Sequence, residues 1–151
     1  MRIGIDIGGT KLEATALDRD GKLHLWRRIP TRRGDYVATV DAIAHLVESI
    51  ESELGRRCTL GFGIPGIIFA ATGLIKNAYN SSFNGHPLDR DLAARFDRPV
   101  HLLNDANCLA ISAAHGGAAA GAEIVCGAIL RTGSGILVRG AACLWPEGVA
   151  L

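Results

Sequence analysis

The residues best suited to chemistry lie near the N-terminus, where an acid interrupts an apolar strand just before a glycine turn. Asp6 lies within the run 3–7, and Gly8-Gly9-Thr10-Lys11 follows at once. Glycines let backbone N–H groups approach phosphate oxygens, and the threonine and lysine add a donor and a positive charge. The Asp6 carboxylate is placed where it could hold a phosphate-bound Mg²⁺, directly or through water. The pattern indicates either a phosphate-binding hairpin or an ordinary hairpin with a Gly-Gly turn.

A second acid, Asp105, follows Asn104 directly after the apolar run 100–103 and before an alanine-rich helix. Asn and Asp are favoured residues at helix N-termini, so this pair has a capping interpretation. An ionised carboxylate at the end of a strand could also accept the proton of an attacking hydroxyl during phosphoryl transfer. Both interpretations stay open on the residues alone.

Between these two motifs, residues 67–87 form a long polar segment that we expect to be irregular. Long loops within compact domains are commonly functional. Amide and hydroxyl side chains offer paired donors and acceptors that match the vicinal hydroxyls of a sugar, although a polar surface loop has the same composition. The side chains of this kind are Asn77, Asn80, Ser81, Ser82 and Asn84.

The elements that must position these residues follow from hydrophobic periodicity. The pattern predicts three strands, a helix, a strand, a helix, a strand, a helix and a strand. This order is typical of an α/β fold with a mixed sheet, an antiparallel start and helices on the faces of the sheet. If the strands lie side by side, the loops at 8–11, 63–66 and 104–105 open onto one cleft.

Composition limits the classes of protein that the chain could belong to. Its 151 residues are 48% apolar and 21% charged, with a net charge of +1, which is typical of a single globular domain. The weak net charge argues against a nucleic-acid partner. Four cysteines at 58, 108, 126 and 143 lack the spacing of a zinc or redox motif. No apolar run approaches membrane-spanning length, and we expect a cytoplasmic protein.

Taken together, these motifs resemble the ROK family of bacterial sugar kinases, and within it the fructokinase (manno-fructokinase) branch. The resemblance runs from residue 1 to about 133. It implies a ribonuclease-H/actin-like ATPase fold of two lobes, with sugar and ATP bound between them. The matching segments are GIDIGGTK at 4–11, GIPG at 63–66, TGLIKNAYNSSFNGHPLDRDL at 72–92 and RPVHLLNDANCLA at 98–110.

The resemblance also implies roles for individual residues. Asp105 would be the general base that takes the proton of the sugar 6-hydroxyl. The residues that would hold the sugar are Gly66, Asn80, Asn84, Asn104 and Asp105. Those that would face the ATP phosphates are Gly8, Gly9, Thr10, Lys11, Thr132 and Gly133, with Asp6 near the Mg²⁺.

The C-terminal part departs from the family pattern. Arg131 stands where the second phosphate loop of the family has a glycine, and residues 134–151 resemble the C-terminal helix of the family, with an unrelated amphipathic helix as the alternative. The sequence therefore predicts an actin-like lobe over 1–133 joined to a closing helix over 134–151, with the second lobe largely missing. The Glu–x–x–His segment and the cysteine-rich loop that hold zinc in the family do not occur in this sequence, so no zinc site is expected.

The implied activity is ATP-dependent phosphorylation of a hexose, with D-fructose converted to fructose 6-phosphate, in a shortened chain that is weakly active or inactive. The alternative is a non-catalytic sugar-binding or regulatory remnant. The expected partners are a small sugar and ATP, with no nucleic acid and no membrane. Apolar surface left exposed by the missing lobe favours self-association.

Overall fold

The computed structural model describes residues 1–78, 82–129 and 133–142. Within these ranges the chain forms ten strands and three helices. In chain order they are β1 (Arg2–Ile7), β2 (Lys11–Leu17), β3 (Leu23–Pro30), α1 (Tyr36–Leu54), β4 (Thr59–Ile64), β5 (Ile67–Phe69), β6 (Leu74–Lys76), α2 (Leu88–Phe96), β7 (Val100–Asn104), α3 (Asp105–Gly116), β8 (Ile124–Ile129), β9 (Gly133–Val138) and β10 (Ala141–Ala142).

The largest sheet has five strands in the order β3-β2-β1-β4-β7. Its first three strands form the predicted antiparallel meander, and β4 and β7 run parallel to β1. Because the carboxyl ends of parallel strands meet at one edge, Ile7, Ile64 and Asn104 end their strands together. This is the mixed sheet expected from the sequence, and it places the three candidate loops at one edge.

Strict alternation along β1 separates a core face from a second, open face. Ile3, Ile5 and Ile7 are almost fully buried, whereas Gly4 and Asp6 between them point the other way. This is the two-residue period of a half-buried strand. One face of the strand therefore builds the core, and the other is available for a site.

Helix α1 has a residue typical of a helix terminus at each of its ends. The Asp35 side chain accepts a hydrogen bond from the Ala38 N–H, which caps the N-terminus. Gly55 ends the helix with a left-handed φ of 64°. Its apolar stripe is buried with the core strands through the residues Ile43, Ala44, Leu46, Val47 and Ile50.

The segment 67–87 is more regular than expected, because β5 and β6 pair as a short antiparallel hairpin. Gly73, with φ 71°, lies in the turn between them. Its positive φ is a conformation that glycine adopts at little cost. Ile75 of β6 also exchanges backbone hydrogen bonds with Gly85 and His86, which joins the hairpin to the end of this segment.

Residues 134–142 correct the predicted closing helix, because they form strands. β8, β9 and β10 make a separate three-stranded antiparallel sheet, and the predicted boundary at 133/134 falls inside β9. Arg139 and Gly140 both have positive φ, 48° and 81°, as a two-residue type I′ hairpin requires. The helix expected over 134–151 is thus wrong for 134–142, and residues 143–151 lie outside the described ranges.

The described part of the chain contains no helix that is both long and apolar enough to cross a membrane.

Candidate active site

A cavity of about 1000 Å³ lies at the edge where β1, β4 and β7 end. All three predicted loops contribute to its wall, so the structure brings their residues together. The predicted site residues that line it are Asp6, Gly8, Gly9, Gly66 and Asp105. The remaining described candidates, Thr10, Lys11, Asn84, Asn104 and Gly133, are not among its lining residues.

The hairpin after β1 is a tight turn held by backbone contacts. The Gly8 N–H donates to the Lys11 carbonyl at 2.9 Å, and a Cβ on Gly8 would lie 2.9 Å from that same oxygen. The Thr31 hydroxyl donates to the Gly8 carbonyl at 2.7 Å, and the Arg33 Nε donates to the Gly9 carbonyl at 3.1 Å. Carbonyl groups of the turn are therefore fixed by the segment after β3, and glycine is required at position 8 for steric reasons.

Lys11 does not lie on the cavity wall. Its ammonium group forms a salt bridge with the Glu13 carboxylate, and its side chain is 44% exposed. Glu13 also accepts hydrogen bonds from the Arg28 guanidinium at 3.0 and 2.7 Å. In the structure, Lys11 thus belongs to a surface charge cluster beside the cavity.

Asp6, Glu13 and Asp105 line the cavity, and burial affects the pKa values of both aspartates. Desolvation raises the pKa of Asp6, Glu13 raises it further and Lys11 opposes the shift. Desolvation also raises the pKa of Asp105; the Ala106 N–H opposes this shift and the negative charge of Asp6 adds to it. A raised pKa makes each carboxylate a stronger proton acceptor, and two neighbouring negative charges create a favourable place for a cation.

Asn104 has the capping role that its position before a helix suggests. Its Oδ1 accepts from the Ala106 N–H at 3.0 Å, and the Asp105 carboxylate accepts from the same N–H at 2.7 Å. Its Nδ2 also donates to the Gly66 carbonyl at 3.0 Å. One amide side chain therefore caps α3 and joins it to the loop after β4.

Gly66 is the point where that loop packs against the neighbouring segment. It has φ 90°, and a Cβ there would lie 2.4 Å from the Lys76 carbonyl and 2.8 Å from the Ala78 nitrogen. Asn84 holds the backbone of Ala78 in place: its Oδ1 accepts from the Ala78 N–H at 2.9 Å, and its Nδ2 donates to the Ala78 carbonyl at 2.8 Å. Both ends of the Asn84 amide are thus engaged by the backbone of the loop.

Other residues of the cavity wall include Asn77, which belongs to the polar segment singled out from the sequence, and Cys108, which was not predicted as a site residue. Asn77 lines the cavity with a left-handed φ of 59°. Cys108 lines it one helical turn after Asp105, and its Sγ would lie 3.6 Å from a Cβ at Gly63. The spacing of three residues on α3 was the available signal for Cys108, because residues i and i+3 share a helix face.

Three predicted positions lie in or beside the parts of the chain that fall outside the described ranges. Asn80 and Thr132 are outside the described residues. Gly133 begins β9 and pairs with Ile129 of β8.

The donor set fits Mg²⁺ better than a metal that needs several protein ligands. Within the described ranges no cluster of three or more His, Cys, Asp or Glu side chains could hold a metal. Mg²⁺ usually keeps several waters and needs only one or two carboxylates beside the phosphates. Asp6 supplies such a carboxylate on the wall shared with the Gly8-Gly9 turn.

Comparison with known proteins identifies the family that the chain resembles. A sequence model of the ROK family matches residues 2–147. The N-acetyl-D-glucosamine kinase of Shigella boydii serotype 4 is 41% identical over 135 residues, covering 89% of this chain and 45% of the relative. The corresponding kinase of Salmonella typhi is 40% identical over 138 residues, covering 91% and 46%.

Solved structures agree in fold. A ROK family glucokinase from Streptomyces griseus, in complex with glucose and AMPPNP, superposes with a TM-score of 0.84 at 28% identity, covering 99% of this chain and 48% of that one. The ROK hexokinase from Thermus thermophilus gives 0.77 at 31% identity, covering 97% and 49%. The chain thus spans about half the length of the relatives it matches, and it corresponds to their N-terminal part.

Proposed function

This chain belongs to the ROK family, and we propose that it serves the ATP-dependent phosphorylation of a hexose, with Asp105 as the general base. The observation that carries the proposal is the cavity wall shared by Asp105, Asp6 and the Gly8-Gly9 turn. Phosphoryl transfer needs a proton acceptor, a cation site and backbone that can approach phosphate, and these three requirements meet there. The relatives of the chain that are named as kinases support the same proposal.

In this proposal each residue has a distinct task. Asp105 accepts the proton of the sugar 6-hydroxyl as its oxygen attacks, and its raised pKa favours that transfer. Gly8 and Gly9 would allow close approach of phosphate groups, and Asp6 would hold the Mg²⁺. By the family resemblance, Thr10, Lys11, Thr132 and Gly133 would also face the phosphates. The bound nucleotide with its Mg²⁺ would supply the phosphoryl group and neutralise the charge that develops on it.

The sugar would be held by the loops that meet at Gly66, with Asn80, Asn84 and Asn104 contributing. The contacts of Asn84 and Asn104 favour a role in shaping this loop, because their amides bind the backbone at Ala78 and Gly66. We therefore expect substitution of either asparagine to weaken sugar binding by displacing the loop.

The identity of the hexose is the finer part of the proposal. The branch resemblance favours fructose, whereas the Shigella and Streptomyces relatives are named for N-acetyl-D-glucosamine and glucose. A panel of all three sugars at equal concentration separates these choices. The largest kcat/KM identifies the preferred sugar, and activity on N-acetyl-D-glucosamine or glucose alone would overturn the fructose prediction.

The decisive experiment compares the wild-type chain with Asp105→Asn in an assay of hexose-dependent ADP release. Loss of the general base should lower kcat by about 10²–10⁴-fold. Asp41→Asn, an exposed position on α1, is the matched control and should leave kcat unchanged. Equal turnover by wild type and Asp105→Asn would refute the assigned role.

A second candidate is a sugar-binding protein without catalysis. It is favoured by one observation, namely that Lys11, a predicted phosphate-binding residue, pairs with Glu13 and is not among the cavity-lining residues. Calorimetric titration with the same three sugars distinguishes the two, since binding without any ADP release supports this candidate.

A further inference from the structure

The small sheet touches the helix that carries Asp105 at an unusually close point. A Cβ added to Gly135 of β9 would lie 2.4 Å from the Ala106 carbonyl carbon, 2.4 Å from the Asn107 nitrogen and 2.5 Å from the Ala106 oxygen. These are backbone atoms of the first turn of α3, which cannot move aside as the end of a flexible side chain can. Only glycine fits at this position with the helix where it is.

The neighbouring strand repeats the arrangement. Gly127 of β8 pairs in register with Gly135, and a Cβ there would lie 3.2 Å from both the Ala106 oxygen and the Ala110 nitrogen. Ala106 and Ala110 are fully buried. We call this contact the glycine seat of α3: the backbone of Ala106 and Ala110 on the helix packs against Gly127 and Gly135 on the sheet.

The glycine seat acts on the residue next to it. Asp105 precedes Ala106, and the Ala106 N–H is the donor shared by the Asp105 carboxylate and the Asn104 Oδ1. Displacement of Ala106 therefore moves both the carboxylate and the cap that joins α3 to Gly66. The position of Asp105 in the cavity depends on how closely β9 approaches the helix.

We propose that Gly135 is a positioning residue for Asp105, with Gly127 as its weaker partner. The proposal rests on the function proposed above. An alanine at 135 needs about 1 Å of separation to reach ordinary contact, and a misplacement of that size can cost about 10²-fold in rate. At 127 a shift of a few tenths of an ångström suffices, so a smaller loss is expected there.

The test compares Gly135→Ala, Gly127→Ala and Gly116→Ala in the full chain. Gly116 ends the same helix, and a Cβ added there would have no atom within 4 Å, so it is the matched control. With the preferred hexose, we expect Gly135→Ala to lower kcat by about 10²-fold, with a smaller rise in KM for the sugar because the Asn104–Gly66 contact moves with Ala106. Gly127→Ala should lower kcat several-fold, and the control should match wild type.

A second readout separates failure of this proposal from failure of the proposed function. In ¹H–¹⁵N spectra the Ala106 amide should shift in Gly135→Ala, less in Gly127→Ala and not in Gly116→Ala, because its hydrogen bonds change. If wild type phosphorylates no hexose, the kinase proposal fails and the Ala106 amide alone decides about the glycine seat. An unchanged Ala106 amide, or unchanged kcat in a folded Gly135→Ala protein, overturns the positioning role. If Gly135→Ala does not fold, the same two outcomes are read from Gly127→Ala.

Discussion

The two sheets differ in how their faces are covered. The five-stranded sheet and α1 share one extensive buried cluster that also takes in α2 and the loop at Phe83. Around the three-stranded sheet, the described residues give a buried cluster of only Ala110, Val125 and Leu137. On its other face Ile124 is 67% exposed and Val138, its pairing partner, is 39% exposed. The large sheet is thus stabilised by its own core, and the small sheet by its contact with α3.

This difference has a consequence for the site. Asp6 stands on the well-packed sheet, whereas Asp105 begins a helix that lies between the two sheets and contacts both. One carboxylate is held by a large core, and the other depends partly on the less buried sheet. Substitutions in the two regions should therefore have unequal effects.

The largest effect is expected from removing a ring from the large core. Phe62 is 2% exposed and stacks on Phe96 at 6.3 Å, so Phe62→Ala should lower the free energy of unfolding by about 3–5 kcal/mol in urea denaturation. Leu137 is equally buried, but Leu137→Ala should lower the free energy of global unfolding much less. It should instead speed amide hydrogen exchange in β8 and β9. Equal losses for both would mean that the two sheets unfold as one unit.

A partly buried ion pair lies in the region of the large sheet. Glu51 of α1 accepts from the Arg98 guanidinium at 2.7 and 2.9 Å and from the Cys58 N–H. Glu51→Gln should cost about 1.5–3 kcal/mol at pH 7, because Arg98 loses a charged hydrogen-bond acceptor. Glu53→Gln, at the 51% exposed partner of Arg27, should cost less than about 1 kcal/mol and is the control.

The pH dependence of this pair has a definite sign. Burial raises the pKa of Glu51, but hydrogen bonds from Arg98 and Cys58 outweigh it, so the pKa falls below its ordinary value of 4.5. A lowered pKa in the fold stabilises the protein above 4.5, and this stability is lost as the pH falls through the folded-state pKa. The difference between wild type and Glu51→Gln should therefore shrink in acid. A constant difference down to about pH 3 would contradict the assignment.

Gly66→Ala tests the loop that joins the large sheet to α3. The positive φ and the backbone atoms at 2.4 and 2.8 Å predict a loss of about 1–3 kcal/mol, measured as a lower Tm. Gly61→Ala in β4, where a Cβ meets no atom within 4 Å, is the control. A Tm equal to that of the control would show that the loop readjusts freely and does not fix Asn104.

The smallest effect on stability is expected from substitution of Asp105. Desolvation raises the pKa of its carboxyl above 3.8 in the folded protein, the Ala106 N–H opposes the shift and Asp6 adds to it. A carboxyl with a raised folded-state pKa makes the fold less stable as the pH rises through that pKa, because the unfolded chain holds the proton less tightly. Asp105→Asn should therefore match wild type near pH 3 and be more stable than wild type at pH 7 in thermal melts. If Asp105→Asn were less stable than wild type at pH 7 and equally stable at pH 3, the pKa of this carboxyl would be lowered in the folded protein, which would contradict the assignment.

Local signals in the sequence predicted the large sheet well. Alternation is the local signal for β1, and Asp35 and Gly55 are local signals for the ends of α1, because capping and termination depend on neighbouring residues. The turn between β9 and β10, at Arg139-Gly140, has no comparable signal in the sequence, because arginine is not a residue favoured at positive φ. The helix over 134–151 was instead predicted from the resemblance to the C-terminal helix of the family.

The candidate site was predictable in position but not in its contacts. Asp6 and Asp105 follow from strand ends, and the parallel sheet brings them to one cavity. The links from Asn104 to Gly66 and from Asn84 to Ala78 depend on the approach of loops that are distant in sequence. The glycine seat likewise requires the distance between β9 and α3, which no local pattern contains.

The register of the two sheets has a further consequence for folding. In the small sheet Ile129 pairs with Gly133 across a short connection, whereas in the large sheet Ile3 pairs with Leu60 only after α1 has brought β4 beside β1. Contacts between near neighbours close quickly, and contacts of high sequence separation are slow to form. We expect the less buried sheet to form its pairing early and transiently, and the large sheet to set the rate at which the chain reaches its folded state.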